Sequence, residues 1–202
     1  AKTSYQNIQS YCKTPLIIKM KIKSLPIKGA FEVDLVDFND SRGNFKRLFC
    51  SKELDNLISS KQIVQINASE TFQKGSIRGM HFQNSPRLEI KLIQCTQGSV
   101  FDVMIDLRKS SKTFLQWHAV ELSSQKNNMI IIPEGCAHGF QTLSENSKLL
   151  YFHTEFYSQE HESGVRYDDP LIAINWPLDI GSVSERDRNH QLLSDNFQGI
   201  EA

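Results

Sequence analysis

Two stretches of the chain carry the residue types that acid–base chemistry at carbon requires. The first contains Arg78 and His81 and is followed by Lys91, and the second, residues 133–140, contains His138. Histidine gains and loses a proton near neutral pH, and a fixed cation stabilises the negative charge that develops when carbon is deprotonated. This combination favours an enzyme that removes a proton from a carbon atom next to a ketone.

An alternation of apolar and polar residues indicates that β-strands carry these side chains. Phe31, Val33 and Leu35 alternate with acidic residues, and the stretch from Phe101 to Leu107 repeats the pattern. A period of two is typical of half-buried strands, and short strands separated by polar turns favour a β-sandwich or barrel. Four further strands are predicted at residues 90–95, 119–122, 129–132 and 148–156.

Helices are a minor component of the predicted structure. Ser51 is expected to cap a helix at residues 52–60, in which three apolar residues share one face. A second short helix is predicted at residues 185–194, after a group of turn-forming residues. The pattern as a whole predicts a mainly β protein with a few short helices.

The composition fits one globular domain with no sign of a nucleic-acid or membrane partner. Of the 202 residues, 39% are hydrophobic, and 23 basic residues balance 23 acidic ones. The chain has no run of like charges, and no apolar stretch approaches the roughly 18 residues of a membrane span. Four scattered cysteines without Cys-x-x-Cys spacing fit a reducing compartment. We therefore expect a cytoplasmic protein.

The segment Pro133-x-Gly135-x-x-His138 resembles the second signature of the cupin barrel, and the strand around His81 stands where the first would be. Metal-binding cupins supply His-x-His in the first signature, because an octahedral metal needs several fixed donors. Gln83 replaces the second histidine here. The sequence therefore predicts no metal and no other cofactor. A metal-dependent cupin oxygenase or isomerase, with Glu89 as a ligand, is the alternative.

Eight short motifs are spread along the chain in this order: Phe38-x-Asp40-x-Arg42-Gly43, Gln65-x-Asn67-x-Ser69, Arg78-Gly79-Met80-His81-Phe82-Gln83, Asp106-Leu107-Arg108, Ser111-x-Thr113-Phe114, His138-Gly139-Phe140, Asp168-Asp169-Pro170 and Trp176-Pro177. The chain thereby resembles the dTDP-4-dehydrorhamnose 3,5-epimerase family over roughly residues 20–190. The resemblance implies one cupin-like jelly-roll domain over residues 20–202. Residues 1–19 are then an N-terminal extension of uncertain role, whose removal should leave activity intact.

The resemblance also implies a reaction and the residues that carry it out. The family's substrates are nucleotide-linked 4-keto-6-deoxy sugars, in which the C4 ketone acidifies the hydrogens on C3 and C5. Removal of a proton gives an enolate, and its return to the opposite face inverts the carbon. By this resemblance His81 is the general base, Asp187 its partner and Tyr151 the acid on the other face. Lys91 is the cation beside the ketone.

By the same resemblance six residues bind the substrate: Arg42, Gln65, Asn67, Arg78, His138 and Tyr157. Arg42 and Arg78 match positions that bind the diphosphate, for which the guanidinium group has suitable geometry. The expected ligand is therefore a dTDP-linked sugar. The resemblance further implies a homodimer in which the two chains exchange N-terminal strands.

Two positions depart from the family pattern. Arg47 stands where a glutamate is usual, toward the nucleotide side of the site, and Glu89 stands where a glutamine is usual, close to Lys91. These departures leave three alternatives open. They are an epimerase acting at C3 only, a ketoisomerase of a related nucleotide-linked 4-keto sugar, and a cupin that binds a nucleotide sugar without turnover.

Several polar residues receive no catalytic role from the sequence. Asp102, Asp106 and Arg108 face away from the apolar row of their strand and are expected to form a structural salt-bridge network. Four histidines are likewise left without a role: His118, His153, His161 and His190.

Overall fold

A computed structural model describes residues 20–202, so the predicted N-terminal extension lies outside the described residues. The described part contains the strands β1 (Lys21–Ser24), β2 (Phe31–Asp34), β3 (Asp37–Asp40), β4 (Gly43–Lys46), β5 (Gln65–Thr71), β6 (Ile77–Gln83), β7 (Lys91–Gln97), β8 (Ser99–Asp106), β9 (Trp117–Ser123), β10 (Asn128–Ile132), β11 (Cys136–Thr142), β12 (Ser147–His153) and β13 (Glu162–Gly164). All the strand pairs within the sheets are antiparallel. The mainly β prediction is confirmed.

Two of the sheets form a sandwich. The larger has six strands in the order β1-β2-β10-β7-β12-β5, and the smaller has five in the order β13-β6-β11-β8-β9. Ile93 and Ile130 of the larger sheet and Met104 and Phe140 of the smaller sheet belong to one buried cluster. The apolar core therefore lies between the sheets, as expected for a jelly-roll sandwich.

Both sheets are also covered on their outer faces, which the alternation of residue types does not reveal. A second apolar cluster joins Leu54 to Leu92 and Met129 of the larger sheet. A third joins Val103 of the smaller sheet to Ile172 and other residues of the C-terminal part of the chain. The prediction of a half-buried strand is therefore wrong for β8, because its Val103 face packs against the C-terminal part of the chain and its Met104 face lies in the core between the sheets.

The helices are shorter than predicted. The first, α1 (Ser51–Leu54), continues as a 3-10 helix over Asp55–Leu57. Its N-cap is Cys50 rather than Ser51, and no side chain caps it. The second, α2 (Glu185–Arg188), covers only the first part of the predicted segment. Leu54 is fully buried, so the apolar face of the first helix is confirmed.

The motifs that follow β8 build a hydrogen-bonded turn around one carboxylate. Asp106 is fully buried and accepts hydrogen bonds from Arg108, at 2.8 Å to Nε and to Nη2. The hydroxyls of Ser111 and Thr113 each donate to its Oδ2 at 2.6 Å. Burial opposes ionisation, but these bonds prevail and hold the Asp106 pKa at about 2. The predicted structural network is confirmed for Asp106 and Arg108, whereas Asp102 belongs elsewhere.

A two-stranded hairpin of β3 and β4 stands apart from the main sheets. Arg42 lies in its turn and pairs with Asp40, and both residues are exposed. Phe45 is also left 67% exposed on this hairpin. Within residues 20–202, no helix has the length and apolar character to cross a membrane.

Candidate active site

A cavity of about 410 Å³ opens between the two sheets and is lined by residues of both. Strands β5, β7 and β12 of the larger sheet contribute to it, as do β6 and β11 of the smaller sheet. Seven of the predicted site residues line this cavity: Asn67, Arg78, His81, Lys91, His138, Tyr151 and Tyr157.

His81 lies on β6 and pairs with the buried carboxylate of Asp187. Nε2 of His81 is 2.7 Å from Oδ1 of Asp187, whose Oδ2 accepts a hydrogen bond from the backbone N–H of Gly79 at 3.1 Å. Burial alone would raise the Asp187 pKa, but the His81 contacts and the Gly79 bond keep it below its usual value. An ionised Asp187 holds a hydrogen on Nε2, so Nδ1 of His81 is left as the proton acceptor.

Asp187 is brought to His81 from 106 residues away by the segment that precedes α2. Val183 forms a parallel bridge with Ile77 at the start of β6, and the backbone N–H of Ile77 donates to the carbonyl of Ser182 at 2.9 Å. Ser184 then caps α2 by accepting a hydrogen bond from the backbone N–H of Asp187. The short helix therefore begins where its first turn points Asp187 at His81.

Tyr151 lies on β12, in the sheet that faces His81. Its hydroxyl is 2.9 Å from the hydroxyl of Ser69 on β5, and its ring meets the ring of His138 edge-on at a centroid distance of 6.3 Å. Burial raises the Tyr151 pKa to about 12, so the phenol keeps its proton at neutral pH. A buried, protonated phenol has the form that a general acid requires.

Lys91 forms a polar network with Glu89 and His153 at the cavity wall. Its Nζ lies 3.1 Å from Oε1 of Glu89 and donates to the carbonyl of His81 at 3.2 Å. The other oxygen of Glu89 lies 2.7 Å from Nδ1 of His153. Burial works against the Glu89 charge, but Lys91 and His153 keep the Glu89 pKa below its usual value. Only 10% of the Lys91 side chain is exposed, and β7 is not an edge strand.

His138 lies next to His81 on the neighbouring strand β11 and is held from behind by an aspartate. The two histidines are register partners, and Nε2 of His138 is 2.9 Å from Oδ2 of Asp102 on β8. Burial raises the pKa of the Asp102 carboxyl, which is fully enclosed. Asp102 is therefore the partner that fixes the ring of His138, and its predicted place in a salt-bridge network with Asp106 and Arg108 is wrong.

The rim of the cavity contains a chain of polar contacts. The Tyr157 hydroxyl donates to Oε2 of Glu162 at 2.7 Å, and the other oxygen of Glu162 pairs with Arg186. Arg186 stands in the Ser-x-Arg-Asp motif that also contains Asp187. Arg78 is exposed, lines the cavity and lies three residues before His81 on β6.

Gln65 and Arg42 are placed differently from the other predicted binding residues. Gln65 lines an adjoining recess of about 270 Å³, which it shares with Asn67 and Tyr157, and its side chain accepts from the backbone N–H of Tyr157 at 3.3 Å. Arg42 lies on the β3–β4 hairpin and does not line the cavity. A binding role for Arg42 stays a prediction.

The sequence assigned no catalytic or substrate-binding role to several polar residues that line the cavity or hold its side chains, among them Ser69, Glu89, Asp102, His153 and Glu162. Ser69 belongs to the Gln65-x-Asn67-x-Ser69 motif, and its two-residue spacing on β5 signals a shared face. An aspartate within an otherwise apolar strand was the available signal for Asp102. The pairing of Glu89 with His153 carries no such signal, because Glu89 precedes β7 and His153 ends β12, 64 positions away.

Comparison with known proteins gives the family. The model of the dTDP-4-dehydrorhamnose 3,5-epimerase family matches residues 24–195. This chain belongs to that family. A dTDP-4-dehydrorhamnose 3,5-epimerase of Sinorhizobium fredii is 38% identical over 176 residues, which cover 87% of this chain and 90% of that protein. The family assignment makes the chain an isomerase of the epimerase class, in agreement with the resemblance read from its motifs.

Two solved structures of dTDP-4-dehydrorhamnose 3,5-epimerase family members share this fold. A dTDP-4-dehydrorhamnose 3,5-epimerase of Bacillus anthracis, with TDP and PPi bound, is 39% identical with a TM-score of 0.83, covering 86% of this chain and 99% of that one. A dTDP-6-deoxy-D-glucose-3,5-epimerase of Legionella pneumophila, in complex with dTDP-4-keto-L-rhamnose, is 35% identical with a TM-score of 0.84. That match covers 91% of this chain and 98% of the Legionella chain.

Proposed function

We propose that this protein inverts C3 and C5 of a dTDP-linked 4-keto-6-deoxyhexose through enolate intermediates. The observation that carries the proposal is the His81–Asp187 pair, which opens into a cavity whose facing wall presents Tyr151. A base on one sheet and a protonated phenol on the other provide what inversion requires, namely proton removal and proton return from different sides.

The proton transfers at each carbon use side chains alone. Nδ1 of His81 takes the proton from carbon, and Asp187 stabilises the imidazolium that forms. The electron pair of the C–H bond moves to the C4 oxygen, where the Lys91 cation offsets the negative charge of the enolate. Tyr151 then delivers its proton to carbon from the other side, the ketone forms again, and solvent restores the protonation states of His81 and Tyr151.

Substrate binding is proposed for the residues around this centre. Arg78 suits a diphosphate oxygen because it is exposed, lines the cavity and has a guanidinium group that can donate two hydrogen bonds to a phosphate. The predicted neighbours Asn67, His138 and Tyr157 line the same cavity, and Gln65 lines the recess beside it. We further propose a cytoplasmic homodimer with exchanged N-terminal strands, a proposal that the separate β3–β4 hairpin supports.

Epimerisation at C3 alone is the second candidate. It is favoured by the Glu89–His153 pair, which places a carboxylate and an imidazole in the cavity wall beside Lys91. With glutamate instead of the family's usual glutamine at position 89, the sugar ring is expected to lie differently against His81. Both candidates use the same base and therefore differ only in the carbons that exchange.

The deciding experiment is incubation with dTDP-4-keto-6-deoxyglucose in deuterium oxide, followed by NMR of the sugar. Deuterium at both C3 and C5, lost in His81→Ala, is the expected result. Deuterium at C3 alone would select the single epimerase. Binding of dTDP without any exchange would contradict catalysis and leave a nucleotide-sugar-binding protein.

A further inference from the structure

His190 presents a buried ring nitrogen without a partner beside the His81–Asp187 pair. Within residues 20–202, Nε2 of His190 makes no hydrogen bond and is shielded from solvent. It lies 3.9 Å from Oδ1 of Asp187, the oxygen that Nε2 of His81 approaches to 2.7 Å. Buried polar atoms without a partner are uncommon in folded proteins. This nitrogen therefore calls for a ligand that the three residues could share.

The position of the His190 ring is fixed by close packing. A Cβ atom on Gly164 would lie 2.3 Å from Nε2 of His190, so the absence of a side chain at this position makes room for the ring. The ring also meets that of His81 edge-on, at a centroid distance of 5.9 Å. His190 follows the end of α2, the helix that carries Asp187. One short segment of chain thus supplies two of the three groups.

The three groups together form a ligand set for zinc. Nε2 of His81, Oδ1 of Asp187 and Nε2 of His190 all lie within 4.8 Å of one another. Two imidazoles and one carboxylate, with water in the fourth position, are a set that binds zinc in proteins. Zinc–ligand bonds of about 2.0–2.2 Å require only small movements of the two rings. The nearby Arg186 does not oppose a cation strongly, because it pairs with Glu162.

We propose that His81, Asp187 and His190 form an inhibitory Zn²⁺ site, an inference that rests on the proposed role of His81 as the base. The reason for inhibition lies in the imidazole of His81. Without metal, Nε2 carries the hydrogen and Nδ1 has a free electron pair. Coordination of Zn²⁺ uses the Nε2 pair, and the hydrogen moves to Nδ1, so the ring stays neutral. Nδ1 then has no electron pair with which to accept a proton from carbon.

The site should distinguish between divalent ions. Zn²⁺ accepts nitrogen and carboxylate ligands in a tetrahedral arrangement, whereas Mg²⁺ prefers an octahedron of oxygen ligands and keeps its water. With one carboxylate and two imidazoles, the cluster offers Mg²⁺ a poor environment. Zinc should therefore inhibit at concentrations at which magnesium has no effect.

The test begins with metal-free protein titrated with zinc chloride in a calorimeter, and with cobalt chloride in a visible-absorption experiment. One Zn²⁺ per chain is expected, with epimerisation lost in proportion to occupancy and restored by EDTA. Cobalt should give the absorption bands of a tetrahedral ion, a readout that does not depend on activity. Magnesium chloride should neither bind nor inhibit.

The deciding variant is His190→Gln, with His118→Gln on β9 as the matched control. Loss of an outer-shell partner costs roughly 10–100-fold in metal affinity, so loss of a ligand should weaken zinc binding by at least about 100-fold. Metal-free His190→Gln should still epimerise, and His118→Gln should bind zinc as the unaltered protein does.

Equal zinc affinity in His190→Gln and the unaltered protein would overturn the site, as would the absence of stoichiometric binding. The two proposals fail in different ways. An inactive metal-free protein that binds zinc through His190 would contradict the epimerase function but not the metal site. An active protein that zinc does not inhibit would contradict only the inhibitory site.

Discussion

At the scale of single residues, the cavity histidines of β6 and β11 are each held by a carboxylate distant in the sequence. His81 is held by Asp187, and His138 is held by Asp102, 36 residues away. Such pairs fix the tautomer and the ring orientation of each histidine. The sequence predicted the first pair through the resemblance but missed the second, because Asp102 was expected to form a structural network with Asp106 and Arg108.

Tyr151→Phe separates proton removal from inversion. The variant keeps His81 but lacks the phenol that, in the proposed mechanism, returns a proton to the other face. The rate of product formation should fall by about 10²–10⁴-fold, the usual contribution of a general acid. Slow deuterium incorporation without inversion should persist, since His81 can return a solvent deuteron to the original face. NMR of the sugar measures both, and Tyr167→Phe, outside the cavity, is the control.

Product formation by Tyr151→Phe at the unaltered rate would remove Tyr151 from the mechanism. Loss of all deuterium exchange would instead indicate that Tyr151 is needed for proton removal. The same variant therefore tests whether His81 on one sheet removes the proton and Tyr151 on the other returns it.

Glu89→Gln should reverse the tautomer of His153. In the structure Nδ1 of His153 faces the Glu89 carboxylate, and Nε2 lies 3.4 Å from the amide nitrogen of Asn67. A glutamine can accept from Lys91 with its oxygen while its amide faces His153, which favours the hydrogen on Nε2. Nitrogen-15 NMR of the ring should show this change, and KM should rise roughly fivefold, the value of about one hydrogen bond.

The surface variant Glu121→Gln provides a control, since Glu121 pairs only with the exposed Lys126 among the described ion pairs. An unchanged His153 tautomer in Glu89→Gln would show that the carboxylate does not set the ring. An unchanged KM with a reversed tautomer would place the His153 ring outside substrate contact.

At the scale of elements, the residue pattern located six of the thirteen described strands but not their environment. The pattern around Phe101 identified β8, yet it could not show that the C-terminal part of the chain covers the outer face of that strand. The predicted strand at residues 148–156 ends at His153, and Phe156 is 59% exposed beyond it. Burial on the second face and strand ends depend on contacts between distant segments, which local periodicity does not contain.

Asp106→Asn should destabilise the turn after β8 in a pH-dependent way. The Asp106 pKa of about 2 lies below that of an unfolded aspartate, so its stabilisation is present above about pH 4 and is lost as the pH falls toward 2. At pH 7 the variant should lose on the order of 2 kcal/mol of unfolding free energy. Urea unfolding between pH 7 and pH 2 measures this, with the exposed Asp195→Asn as control.

The difference between Asp106→Asn and the unaltered protein should shrink as the pH falls through this window. A constant difference at every pH would attribute the loss to packing rather than to the charge of Asp106. No difference at pH 7 would show that the turn contributes nothing to global stability.

At the scale of the whole molecule, the β3–β4 hairpin carries a predicted binding residue but lies outside the cavity of its own chain. Arg42 lies on β3–β4, which makes its own sheet and exposes Phe45. In the proposed dimer with exchanged N-terminal strands, we expect this hairpin to contact the cavity of the second copy. The sequence could predict Arg42 as a binding residue only through resemblance. Local sequence patterns do not indicate whether a residue lines the cavity of its own chain or that of a second copy.

Mixing two inactive variants, Arg42→Ala and His81→Ala, tests this arrangement. If Arg42 serves the partner's cavity, each mixed dimer has one intact site, because the chain with His81 receives Arg42 from the other. Random pairing should then restore about a quarter of the unaltered activity in an equimolar co-refolded sample. If Arg42 serves its own chain, neither site of a mixed dimer is intact and no activity returns.

The path of the chain to Asp187 has a consequence for the order in which the protein becomes competent during synthesis. Strands β5–β12 are made before the segment that pairs with β6 and delivers Asp187 to His81. A nascent chain can therefore assemble much of the sandwich and its cavity while the base still lacks its partner. The site is completed only when this late segment docks on β6. We expect chains truncated before this segment to bury most of their core but to lack epimerase activity.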